Sequence, residues 1–210
     1  MINASIGIST HMGWVSTAVM ALRGSNPRIL RTDRIETADP ADREALEPYH
    51  VAGGFDGLDR VPIPKDPAAV VARGLQRQRR HTLANLRRLF TALARDDIQV
   101  AHAGVLTGRG RAAPTLAKAV GSHTQIHISE GLAVRACITQ CLESLSVVVK
   151  PIDQKTLFDA GHDALRLSEP EIMKLLADLT PEIAGSWRKE DKLAAIAAWI
   201  AINWGRSKNS

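Results

Sequence analysis

The chain has 210 residues, 45% of them hydrophobic and 23% charged, with a formal net charge of +5. That length suits one sizeable core, and residues 1–204 are expected to form a single domain followed by a polar tail at 205–210. No run approaches the roughly 18 uncharged residues of a membrane span, and residues 1–10 lack a basic stretch ahead of a long apolar one, so no membrane partner is expected and the reading is cytoplasmic.

Cys137 and Cys141 are the only cysteines. Their spacing of four within a helical pattern suits reduced core thiols and gives no basis for a disulfide framework or structural zinc. The positive balance, carried mostly by arginine, permits nucleic acid, nucleotides or other anions as partners.

Residues 2–8, 13–22 and 28–37 are β-capable runs separated by Ser9-Thr10-His11 and by Gly24-Ser25-Asn26-Pro27, which predicts an antiparallel meander. In the third run Ile29, Arg31, Asp33 and Ile35 alternate with Leu30, Thr32, Arg34 and Glu36, as in a strand near a sheet edge. Asp39-Pro40 opens a short helix that Pro48-Tyr49-His50 interrupts. Residues 53–65, with three glycines and two prolines, read as a long loop of the kind that is often functional.

Asp66-Pro67 begins a longer helix in which Val70, Val71, Leu75, Leu83, Leu86, Leu89, Phe90 and Leu93 recur at helical spacing. Its arginines, among them Arg73, Arg77, Arg80 and Arg88, wrap around more than one face, which favours a solvated surface over an anion-facing stripe. Residues 98–106 form a buried strand, followed at once by Thr107-Gly108-Arg109-Gly110-Arg111 and a short helix at 114–120. Ser129 can cap a helix reaching about residue 145, which would leave His123 and His127 in a loop, and residues 146–152 form another strand. The remainder is helical and ends in a helix over 189–202 with an apolar stripe of Leu193, Ile196, Ala197 and Ile200.

This order predicts an α/β fold: a mixed five-stranded sheet of antiparallel meander then parallel strands, flanked by helices, with a helical C-terminal extension. Four segments then carry a resemblance. They are Ser9-Thr10-His11-Met12-Gly13-Trp14, Pro48-Tyr49-His50-Val51-Ala52, Ser122-His123-Thr124-Gln125-Ile126-His127-Ile128-Ser129-Glu130-Gly131 with Arg135 a turn later, and Lys189-Glu190-Asp191-Lys192-Leu193-Ala194-Ala195. With these the chain resembles the Holliday-junction-resolvase-like branch of the ribonuclease H-like superfamily, and more closely a bacterial group within that fold.

The resemblance implies a nucleic-acid-processing or nucleic-acid-binding protein, a divergent nuclease or resolvase, using a divalent metal, Mg²⁺ or Mn²⁺. Nucleases of this fold are similar in holding two metal ions between carboxylates that activate water and stabilise the leaving oxygen. The family pattern asks for an aspartate on the first strand, an acid at the end of the fourth, and acids at the start of the last helix. Glu190 or Asp191 meets the last requirement, but the first strand offers Ser9 and His11, and the fourth offers only His102.

A substitute site combines Glu130, Asp191, His11 and His127 as candidate catalytic groups, with Glu130 and Asp191 as metal ligands. At helical spacing His123 and His127 would form a two-histidine metal site, and His50 reads as a structural hydrogen-bond partner. Arg109, Arg111, Arg135 and Lys192 are candidate phosphate contacts, because glycines let backbone approach an anion and arginine offers it a planar donor fork. Missing acids favour the competing expectation, an inactive scaffold or interaction module of the same fold, and a homo-oligomer is compatible with either.

Overall fold

The computed structural model describes residues 1–57, 59–108, 114–179 and 187–208. Strands β1 (Ile2–Thr10), β2 (Trp14–Arg23) and β3 (Asn26–Glu36) form the expected antiparallel meander. Helices α1 (Arg43–Leu46) and α2 (Pro48–Ala52) lead to a small hairpin, β4 (Phe55–Asp56) with β5 (Asp59–Arg60), inside the segment read as a loop. Then come α3 (Pro67–Arg95), β6 (Ile98–Thr107), α4 (Leu116–Ala119), α5 (His123–Ser144) and β7 (Val148–Asp153). Helices α6 (Leu157–Leu165), α7 (Glu169–Asp178) and α8 (Lys189–Lys208) complete the described chain. None of the described helices is long and apolar enough to cross a membrane.

The main sheet has the order β3-β2-β1-β6-β7, with β6 parallel to β1 and β7 parallel to β6. Side chains alternate across its two faces. Ala4, Ile6 and Ile8 of β1, with Val15, Val19, Ala103 and Val105, pack under Leu86, Leu89 and Leu93 of α3 and Ile138 and Leu142 of α5. Both cysteines are buried and free in this layer. On the opposite face Ala18, Met20 and Leu106 meet α6, α7 and the alanine-rich side of α8.

The strict alternation read along β3 fails at one point. Val19 pairs with Arg31 but Met20 pairs with Ile29, so Leu30 is an extra residue at a bulge. The slip reverses the pleat, and Ile29 joins the α8 side while Ile35 joins the α3/α5 side. The arginines of α3 also depart from a purely solvated face. Arg73 pairs with Glu44, and Arg77 with Asp42 and Glu44, so the helix clamps α1 against itself.

Helix α8 lies almost on the sheet backbone. A Cβ on Gly7 of β1 would overlap the Ala194 carbonyl and come within 2.5 Å of the Ala198 nitrogen, and one on Gly104 of β6 would overlap the Ala197 carbonyl. Ser5 Oγ donates to the Ala198 carbonyl at 2.6 Å. The helix continues through Lys208 in place of the polar tail expected from residue 205. The continuation packs on β6: the Trp204 ring stands edge-on to His102 at 5.9 Å, and buried Gly205 has no Cβ to strike the His102 ring.

Gly7→Val is expected to destabilise the fold by about 3 kcal/mol or more, since the added atoms meet backbone that cannot rotate away. Gly108→Ala, whose Cβ would meet only the Arg135 guanidinium at 3.8 Å, should change stability by under about 0.5 kcal/mol. Urea denaturation of the two variants checks the contrast.

Candidate functional site

The β1–β2 turn is tight, with Gly13 at φ 76° and its carbonyl accepting from the Thr37 amide. It presents His11 stacked on Trp14, with ring centroids 4.1 Å apart and planes 10° from parallel, and the Arg34 guanidinium lies 4.2 Å from the Trp14 centroid. Burial pulls the His11 pKa below its ordinary value, against the field of Glu190 that would raise it. Beside this turn a cavity of about 190 Å³ is lined by Thr10, His11 and Met12 from the end of β1 and by His127, Glu130 and Arg135 from α5.

Helix α5 begins earlier than the sequence suggested. Ser122 is the N-cap, accepting from the Gln125 amide, and Ser129 lies inside the helix with its hydroxyl donating to the Gln125 carbonyl at 2.8 Å. The correction places His123, His127 and Glu130 at i, i+4 and i+7, along one helix face instead of in a loop.

Glu130 is 2% exposed. Its Oε1 accepts from the backbone amides of Tyr49 at 2.7 Å and His50 at 3.1 Å, and lies 3.4 Å from His50 Nδ1. Those amides belong to the first turn of α2, whose own N-cap, Glu47, makes no side-chain capping bond. Glu130 therefore caps α2 from a different helix. Burial raises its pKa in spite of these hydrogen bonds, and Oε2 has no hydrogen-bond partner among the described residues.

The same contact brings His50 against α5. Its ring centroid is 4.8 Å from that of His127 and 5.4 Å from that of His123, while His123 and His127 are 4.3 Å apart. One ring nitrogen from each of the three lies within 4.8 Å of the others, the only such cluster of potential metal donors among the described residues. Nothing near position 50 in the sequence signals this role. The i, i+4 histidines were the available clue, and their partner lies more than seventy residues earlier.

The structure gathers His11, His127, Glu130 and Arg135 at one cleft but places Asp191 elsewhere. In the first turn of α8, Asp191 accepts from Ser16 Oγ through Oδ1 and from the Arg188 amide at 3.0 Å through Oδ2. Ser16 is paired in register with buried Ser9, on the α8 face of the sheet. Lys192 is half-buried one residue further along the helix and does not line the cleft. Arg109 and Arg111 lie outside the described residues.

Two solved structures share this architecture across nearly the whole chain. Thermus thermophilus RuvC is 11% identical with a TM-score of 0.51, covering 99% of this chain and 97% of that one. T. thermophilus RuvC in complex with Holliday junction substrate is 12% identical with a TM-score of 0.53, covering 99% and 96%. The fold is ribonuclease H-like, a mixed five-stranded sheet flanked by helices as in these neighbours. No family model matches the chain. No curated protein matches it.

Glu130→Ala, which leaves two α2 amides without their acceptor, should lower stability by about 2–4 kcal/mol. Glu130→Gln retains an oxygen that can accept both bonds and should cost about 1 kcal/mol. Chemical denaturation in the presence of a chelator distinguishes them, and equal losses would contradict the capping role.

Proposed function

We propose that this protein binds nucleic acid at the cleft beside the C-terminal end of β1, with Arg135 contacting phosphate. Arg135 itself carries the reading. It is half-buried, its pKa is pulled down by burial alone, and it has no hydrogen-bond or ion-pair partner among the described residues. A guanidinium held partly out of water without a counter-charge is poorly compensated, and a phosphate offers it a bidentate, charge-assisted pair. The stacked His11–Trp14 pair beside it supplies aromatic surface and a ring donor at the same opening.

Arg109 and Arg111 join the proposal as further phosphate contacts, because Gly108 at their approach lies against the Arg135 guanidinium. Lys192, on α8, would extend the contact from the other side of the sheet end. The complex of a RuvC neighbour with Holliday junction substrate makes branched DNA the first ligand to test.

Binding is favoured over carboxylate-based cleavage. Two Mg²⁺ ions require several oxygen donors converging on one point. Where the family pattern calls for carboxylates, this chain offers Ser9 on β1 with His11 just beyond it and only His102 on β6, and both Asp191 oxygens are engaged in hydrogen bonds. Glu130 is committed to α2 on the opposite face. That donor set does not fit a two-metal centre.

The reading is tested by fluorescence anisotropy on four-way-junction, duplex and single-stranded probes across a salt series. Binding should weaken steeply with salt, and Arg135→Ala should reduce affinity about tenfold and lower the log–log salt slope by about 1. No binding, or affinity indifferent to Arg135→Ala, overturns the site. Mg²⁺-dependent cleavage lost in Asp191→Asn or Glu130→Gln would overturn the distinction from a carboxylate nuclease.

A further inference from the structure

We infer that His50, His123 and His127 form a transition-metal site, taking an ion of the zinc class and not the Mg²⁺ or Mn²⁺ implied by the resemblance. Three observations converge. The three rings are steeply inclined, at 72°, 78° and 82° to one another, and one nitrogen from each lies within 4.8 Å of the others. Around a tetrahedral ion such nitrogens stand about 3.3 Å apart, given metal–nitrogen bonds near 2.05 Å. Half-buried His123 and exposed His127 can rotate to close that difference.

The second observation is Glu130. Its Oε1 faces His50 Nδ1 at 3.4 Å, which leaves the Nε2 of that ring available as a ligand. A carboxylate behind a ligating imidazole holds the ring in one tautomer and orientation. Its other oxygen is buried and has no hydrogen-bond partner among the described residues, a position that a neighbouring cation would compensate.

The third is architectural. His123 and His127 are fixed relative to each other by one helical turn, and His50 is fixed relative to them because Glu130, from that same helix, caps α2. The backbone positions of the donors are thus preorganised, and only the His123 and His127 side chains turn to reach ligand spacing. Imidazole nitrogen suits Zn²⁺, Co²⁺, Ni²⁺ or Cu²⁺, whereas Mg²⁺ and Mn²⁺ prefer oxygen. Three protein ligands leave the fourth tetrahedral position for water or an anionic oxygen, at a site that shares His127 and Glu130 with the phosphate-sized cleft.

The test uses the full chain without a histidine tag, stripped with chelator and titrated with Co²⁺ and Zn²⁺. Calorimetry should give one ion per chain, Co²⁺ should develop the visible absorption of a tetrahedral nitrogen site, and Zn²⁺ should raise the Tm. His123→Ala combined with His127→Ala, both outside the core, should abolish saturable binding, while His162→Ala, an exposed histidine elsewhere, should leave it intact. Glu130→Gln should weaken it about 10–100-fold. Excess Mg²⁺ should not displace Co²⁺. Absence of one-to-one binding, or binding retained in the double variant, overturns the proposal whether or not the protein binds nucleic acid.

Discussion

The closeness of α8 to the sheet governs the rest of the molecule. Gly7 and Gly104, on the two central parallel strands, let the helix backbone rest where other residues would hold it off by a side-chain layer. Ser5 adds a buried hydrogen bond to the Ala198 carbonyl. A helix seated this tightly has little freedom to slide or rotate, because interiors are close-packed and backbone does not yield as a side-chain tip does. Its first turn is therefore delivered to the C-terminal end of β1 and the start of β2, where Asp191 meets Ser16.

That placement divides the sheet end into two chemically different halves. On the α8 face, in-register Ser9 and Ser16 lie near one carboxylate, whose oxygens satisfy the Ser16 hydroxyl and the Arg188 amide just ahead of α8. Serine hydroxyls are weak ligands for a hard divalent ion, so the arrangement behaves as a capping device for α8. On the α5 face the same strand end opens into a cleft with imidazoles, a buried carboxylate and a guanidinium without an acidic partner among the described residues. Most of the polar side chains at this sheet end have gathered on the α5 face.

Most of the fold was legible in the sequence because it rests on short-range signals. Strand runs, Gly and Asn turns and the Asp66-Pro67 helix start all operate within a few residues. The errors fall where distant contacts override local preference. Ser129 is as good an N-cap by type as Ser122, but Ile126, buried to 0% exposure, anchors the earlier turn. The bulge at Leu30 depends on how β3 pairs with β2, and the persistence of α8 past residue 204 depends on His102, a hundred residues away. Of the site, His11, His127, Glu130 and Arg135 could be chosen by residue type and segment. The separation of Asp191 from them could not, since it follows from the layer to which α8 belongs.

His50 shows how such long-range dependence creates a site. Helix α2 is only five residues long and has no side-chain cap of its own, so by itself it would be marginal in water. A single carboxylate from α5 completes its N-terminus and in doing so fixes the ring that follows. The energetic cost of burying Glu130 is offset by two amides and an imidazole, while its other oxygen has no partner among the described residues. A purely structural cap needs no second unpartnered oxygen and no convergent imidazoles. Their coincidence in one small volume is what the proposed cation would balance.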